Sequence, residues 1–245
     1  MSESAAARPR FQGSTRRLRQ SSAGAPSPAL QALLMALTGA TGLIDAVSYL
    51  GLGHVFVANM TGNVVLLGFA LGGAPGLSIA ASLVAVAGFL AGACAGGRLA
   101  VAASRRRRVW LSTSSAVQAV LVGAATVATI AGALRPDGPS RLVLLVLLGM
   151  AMGLQNATVR RLAIPDLTTT VLTQTLTGLA ADSSFAGGSD PRWARRIGAA
   201  VAMLVGALAG GALILRSGLP TALAVTGLVF ALMTVGFAVG VPDTE

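Results

Sequence analysis

Apolar residues run along this chain in blocks much longer than a strand or an amphipathic surface helix needs. Six such blocks, residues 28–50, 77–102, 109–134, 142–159, 194–215 and 219–239, carry few charges. As helices of roughly 18–26 residues they would be about 27–39 Å long, enough to cross a bilayer core. Two shorter apolar pieces, 61–71 and 171–181, lie between them. At about 16 Å each, neither crosses alone. The runs do not alternate with period two, which argues against a β-barrel. The pattern predicts an all-α membrane protein with six transmembrane helices and, in each half, one short re-entrant or broken helix. Residues 1–27, polar and rich in Ser, Ala and Arg, read as a disordered cytoplasmic tail, retained rather than cleaved. Residues 241–245 read as a short C-terminal tail.

Charge gives the topology. Only 11% of residues are charged, against about 25% in a soluble domain, and mean hydropathy is +0.76. All 18 basic residues are Arg, and the formal net charge is +10. In a soluble chain that excess would point to nucleic acid. Here the Arg residues cluster between apolar runs, so positive-inside sorting explains them and no nucleic-acid partner follows. If the two short pieces do not cross and the N-terminus is cytoplasmic, 15 of the 18 fall inside. Only Arg135, Arg141 and Arg216 fall outside. Full crossing by the first short piece would put Arg105–Arg108 on the outer face. Both termini are therefore expected in the cytoplasm, with Trp110 and Trp193 at the inner interface.

The two halves resemble each other. Ala40, Gly42, Leu43, Asp45 and Ala46 match Ala151, Gly153, Leu154, Asn156 and Ala157 at an offset of 111. Thr61 matches Thr173 at 112, and Gly88, Gly92 and Arg98 match Gly206, Gly210 and Arg216 at 118. Three spans per half is an odd number, so the second half is inverted relative to the first. The expected repeats are 28–134 and 135–240. Inverted repeats with interrupted helices are the architecture of secondary transporters, with the site near the midplane.

Asp45 is the one carboxylate well inside an apolar run. An intramembrane carboxylate is costly and usually faces a cavity or a partner, which makes Asp45 a candidate for proton or ion coupling. The alternative is a hydrated position near the span's end, or a helix cap. Asn59, Thr61, Gly62 and Asn63 open the first short piece, as Thr173, Gln174 and Thr175 open the second. If both re-enter, their positive dipole ends approach the midplane and favour an anion or a carbonyl. Simple capping by Asn59 and Thr61 is the alternative, and the two uses are compatible. Gln155 and Asn156 suit interhelical hydrogen bonding, and Arg160 is a secondary anion ligand or a snorkelling side chain. The Gly88, Gly92 and Gly96 ladder and the Gly206 and Gly210 pair are close-packing faces. His54 is the sole histidine and Cys94 the sole cysteine. No disulfide, metal site or cofactor follows from them. No nucleophile, base and orienter set can be assembled, and neither GxGxxG nor a P-loop is present, so an enzyme is not expected.

The stretches GLIDAVSYL, VFVANMTGNVVLLG and GLQNATVRRL, followed by TTTVLTQTLTGLA, resemble the YoaK family of uncharacterised bacterial multi-pass membrane proteins. The resemblance covers roughly residues 30–240 and implies a bacterial inner-membrane location. It also implies a Gly after the Thr of the second block, where this chain has Gln174. The Ala-rich, all-Arg composition fits a GC-rich bacterial source. The function expected is secondary transport of a small solute, anionic by the helix-start argument and coupled to protons through Asp45. The alternative is a membrane scaffold that assembles through its glycine faces into a homo-oligomer.

Overall fold

The computed structural model describes residues 27–103, 106–162, 172–189 and 192–242. The expected N-terminal tail lies outside these, as do Ser104, Arg105 and the segment before Leu172. The described residues form seven α-helices and no strand. They are α1 (Pro28–Gly51), α2 (Met60–Leu71), α3 (Ile79–Ala102), α4 (Arg107–Ile130), α5 (Arg141–Leu162), α6 (Leu172–Ala181) and α7 (Trp193–Gly240), with a 3₁₀ turn at Ser184–Ala186.

Local chemistry sets the ends. Ser27 accepts from the Leu30 N–H and Pro28 follows it, a pairing suited to a helix start. Ser78 caps α3 in the same way through the Ala81 N–H. Arg160 and Arg161 stand in the last turn of α5, where cations complement the helix dipole. Hydroxyls within the spans bond back along their own helices, as Thr38 does to Leu34 O, Thr126 to Val122 O and Thr226 to Ala222 O. That keeps polar groups satisfied where no bulk water reaches.

Five helices, α1, α3, α4, α5 and α7, are long and apolar enough to cross a membrane. The last holds two expected spans, because its 48 residues would extend about 72 Å as one rod. Gly218 interrupts it with φ 77° and ψ 175°, a conformation that side chains with a Cβ avoid, and Pro220 follows. The limb before Gly218 runs parallel to α1, with Gly198 beside Met35, Gly206 on Gly39 and Gly210 on Leu43. The limb after it runs back, with Leu219 beside Gly51, Gly236 against Leu33 and Gly240 near Ala29.

Two glycine seams hold the bundle. On α3, Gly88, Gly92 and Gly96 meet Val146, Met150 and Leu154 of α5, while Gly149 and Gly153 of α5 meet Ala85 and Phe89. Across α1 and α7, Gly206 meets Gly39, Gly210 meets Leu43, and Gly42 meets Met203. A methyl group at Gly92, Gly153, Gly206 or Gly42 would overlap a carbonyl oxygen of the opposite helix. Removing Cβ is what lets the backbones approach this closely. In the two seams Gly92 stands to Met150 as Gly206 stands to Gly39, and Gly96 to Leu154 as Gly210 to Leu43, so glycines in like positions are 114 apart where the sequence matching has 118.

α1 and α5 bury half or more of their residues, more than the other long helices, and form the centre. Leu34, Ile44, Leu144, Leu148, Met152 and Phe230 are fully enclosed there. Leu83, Leu90, Val120, Val127, Leu204, Leu208 and Leu215 are exposed on the outer helices. An apolar surface of that extent fits hydrocarbon and not water. Trp193 is exposed, whereas Trp110, expected at the same interface, is buried in the core. It lies on the α4 face turned toward the other helices.

Candidate functional site

The site begins on one face of α1. Thr41, Asp45 and Tyr49 are spaced by four residues, so they line up along the helix. The helix ends at Gly51 and the chain turns sharply, with Gly53 at φ 91° and His54 at φ 60°. It then returns past Asp45 as a short non-helical segment whose Val55, Val57 and Ala58 are buried.

Backbone without helical bonds cannot lie inside a membrane protein unless something satisfies it. Two side chains do this. Asp45 is only 5% exposed, and its Oδ1 accepts from the N–H of Val57 at 3.0 Å and of Ala58 at 2.8 Å. From the other side, fully buried Asn63 grips Phe56. The Phe56 N–H donates to Asn63 Oδ1 at 2.9 Å, and Asn63 Nδ2 donates to Phe56 O at 2.6 Å. Asn59 then caps α2, its Oδ1 accepting from the Gly62 N–H at 3.1 Å. The Tyr49 ring stacks on Phe56, with centroids 4.8 Å apart and planes 24° apart, and meets His54 edge-on at 5.1 Å.

These groups wall a cavity of about 500 Å³. Thr41, Asp45 and Tyr49 come from α1, Phe56 and Asn59 from the returning segment, and Thr61 and Gly62 from α2. Thr173 comes from α6, and Met203 from α7 closes one side. The far end of α2 faces outward, with Phe69 and Leu71 exposed, and its first two turns reach the cavity through Thr61, Gly62, Val65 and Leu66.

Asp45, Asn59, Thr61, Gly62 and Thr173, all singled out in the sequence, thus meet around one space. The other candidates do not line it. Asn63 and Thr175 are the buried residues of their short helices, and Asn63 holds the backbone. Gln174 is exposed. Asn156 Nδ2 donates to Met152 O on its own helix, and Arg160 is exposed at the end of α5. Gln155 reaches the site indirectly, because its Nε2 donates at 2.8 Å to Thr41 Oγ1.

Sequence reasoning passed over Thr41, Tyr49, Phe56 and Met203. For the first two the signal was present, since they stand four residues either side of Asp45. Phe56 and Met203 carry no periodic cue.

Behind Gln155 lies a second polar group. Ser114 and Thr158 hydroxyls are 2.8 Å apart, Gln118 Nε2 donates to Ser114 O, and Ser115 donates to Phe230 O. They border a void of about 10 Å³, roughly the room one water needs. Gln118 Oε1 and Gln155 Oε1, both buried, have no hydrogen-bond partner. Among the described residues no three of His, Cys, Asp and Glu come together. What the main cavity offers an occupant is a carboxylate, hydroxyls, an amide and aromatic faces.

Helices of this length and outward apolarity, enclosing a carboxylate-lined cavity, define a multi-pass α-helical membrane protein. The chain belongs to a family of proteins of unknown function (DUF1275), whose family model matches residues 33–236. It is similar to the "UPF0700 transmembrane protein YoaK" of Bacillus subtilis (strain 168), 35% identical over 152 residues, a match that covers 62% of this chain and 66% of that protein. No solved structure matches.

Proposed function

We propose that the protein is a secondary transporter of a small solute, coupled to protons through Asp45 and built as an inverted repeat of six crossings. The observation that carries this reading is the single cavity shared by an intramembrane carboxylate and the first turns of two helices too short to span. Broken or short helices meeting at an enclosed site are how transporters of this kind place polar groups at depth.

Helix directions support the architecture. α1 is parallel to the first limb of α7 and antiparallel to the second. α4 is antiparallel to that second limb, with Ser115 beside Phe230 and Val122 beside Gly227. α4 and α5 touch through Ser114 and Thr158, and α3 is parallel to α5. These directions agree with six long segments that alternate along the chain, with α2 and α6 outside that alternation. The two glycine seams use residues at constant offsets of 111 and 114. The buried Asn63 and Thr175 differ by 112. With the Arg asymmetry, this favours both termini on the cytoplasmic side of a bacterial inner membrane.

The anion expectation weakens at the cavity. It rested on helix starts, and one of these opens beside a carboxylate while its Gly62 N–H is already taken by Asn59. The glycine faces that motivated the scaffold reading pack inside the chain, so that reading needs another surface.

Proteoliposomes holding trapped pyranine test the proposal. Challenged with a panel of small amines, carboxylates and sugars, wild type should show a solute-dependent change of internal pH that Asp45→Asn lacks. Cysteine accessibility separates transport from a dry scaffold. In a Cys94→Ala background, Thr61→Cys and Thr173→Cys should react with a membrane-impermeant thiol reagent. Absence of both reaction and flux would return the protein to a structural role.

A further inference from the structure

We propose, resting on the transport reading above, that the cavity takes a small organic cation of the methylated-amine type, with Asp45 as its counter-charge and the Tyr49–Phe56 pair as its aromatic wall.

The sign comes first. Among the described residues lining the cavity, Asp45 is the charged one, and no Arg or His stands beside it. One of its oxygens is held by two backbone N–H groups. The other, Oδ2, is buried with no hydrogen-bond partner in contact geometry among the described residues, the Asn59 N–H being the further backbone group that acts on the carboxylate. A carboxylate so enclosed interacts strongly with an opposite charge, because little water screens it. It sits just beneath the cavity surface, so it acts on an occupant through its field as well as by contact. The same charge repels an anion, and no cation is at hand to offset that repulsion.

Size and shape come next. A bare metal ion needs several oxygen ligands converging at about 2.0–2.6 Å. A space of about 500 Å³ walled by one carboxylate and mostly apolar side chains does not supply them. That volume lies within the range of small-molecule sites, about 300–1,000 Å³.

The aromatic wall makes the choice specific. Tyr49 and Phe56 both line the cavity and stack in a nearly parallel pair, which fixes the two rings relative to each other and leaves one face of each uncovered by its partner. Ring faces attract ammonium groups, most of all where water is excluded. The backbone of Phe56, from which the ring projects, is clamped by Asn63. Thr61 and Asn59 complete the wall with groups able to hydrogen-bond a substituent on the amine.

The test uses three probes of similar shape and different charge: tetramethylammonium, tert-butanol and pivalate. The full-length protein is reconstituted in nanodiscs of zwitterionic lipid, with empty discs as control, and binding of labelled tetramethylammonium is measured directly. Saturable binding is expected. Unlabelled tetramethylammonium should displace the label, while tert-butanol and pivalate should not at equal concentration. Asp45→Asn keeps an Oδ1 acceptor for the Val57 and Ala58 N–H groups and should weaken binding at least about tenfold. Tyr49→Leu should weaken it by about threefold to thirtyfold, the range a desolvated cation–π contact spans. If Asp45→Asn fails to fold, the charge series on wild type decides by itself. No saturable binding, or pivalate competing as well as unlabelled tetramethylammonium, overturns the cation. The outcomes separate from those of the transport reading. A pyranine response to some other solute without tetramethylammonium binding preserves transport and overturns this proposal. Binding without any flux preserves the cation site and overturns transport.

Discussion

Asp45 and Asn63 share a task no local sequence rule assigns to them: between them they hold one irregular segment of backbone at membrane depth. Asp45 satisfies two of its N–H groups and Asn63 a donor and an acceptor of Phe56. Orphaning a buried polar group costs about 1–3 kcal/mol. Asn63→Ala should therefore destabilise the protein by about 2–4 kcal/mol, read as a lower midpoint in thermal unfolding of the reconstituted protein. Asn63→Asp, which keeps the acceptor for the Phe56 N–H and loses the donor, should fall between the two. Asp45→Ala should resemble Asn63→Ala, and Asp45→Asn should lie closer to wild type. If Asn63→Ala unfolds like wild type, the clamp does not support the segment. Asp45 was legible in the sequence because a carboxylate in an apolar run stands out. Asn63 was legible as polar but not for its task, since its partner lies in a turn whose course hydropathy does not describe.

At the scale of elements, the glycine seams decide which helices touch. Gly153 on α5 lies so close to α3 that a Cβ would overlap the Phe89 carbonyl oxygen, whereas a Cβ at Gly97 would meet nothing within 4 Å. The pair makes a controlled comparison. Gly153→Ala should push the helices apart and cost about 1–3 kcal/mol. Gly97→Ala should be neutral or stabilise by up to about 1 kcal/mol, because Ala is the better helix former. Equal unfolding midpoints for the two would show that the seam is not tightly packed. Gly218 makes a different demand. Its φ of 77° with ψ of 175° is a region essentially confined to glycine, so Gly218→Ala should cost about 1–3 kcal/mol in the same assay. Two spans were expected at 194–215 and 219–239, and the break falls between them. What hydropathy did not give is that both limbs pack against α1.

For the molecule as a whole, the proposed six crossings and the sorting of Arg residues imply one topology. It makes a direct prediction. In the Cys94→Ala background, Arg106→Cys between α3 and α4 and Gly138→Cys between α4 and α5 should label from opposite faces of the membrane. Arg106→Cys should label from the cytoplasmic side. Labelling from one face would mean that α4 does not cross, and the six-crossing arrangement would fall with it.

The chain's own order of residues determined the spans, the two short helices and the polar groups at their starts. These depend on runs of about ten to twenty-five neighbouring residues, and partitioning into lipid reads such runs additively. The expected short piece 61–71 and the observed α2 differ by one residue at the start, for that reason. The tertiary structure alone decided which helix each glycine face meets, because repetitive small-residue faces have several near-equivalent registers until opposing carbonyls select one. It also decided the character of the cavity. Thr61 and Asp45 were each visible, but a positive helix start and a buried carboxylate predict opposite ligands. Only their placement around one space, beside a stacked Tyr49 and Phe56, shows which charge that space presents.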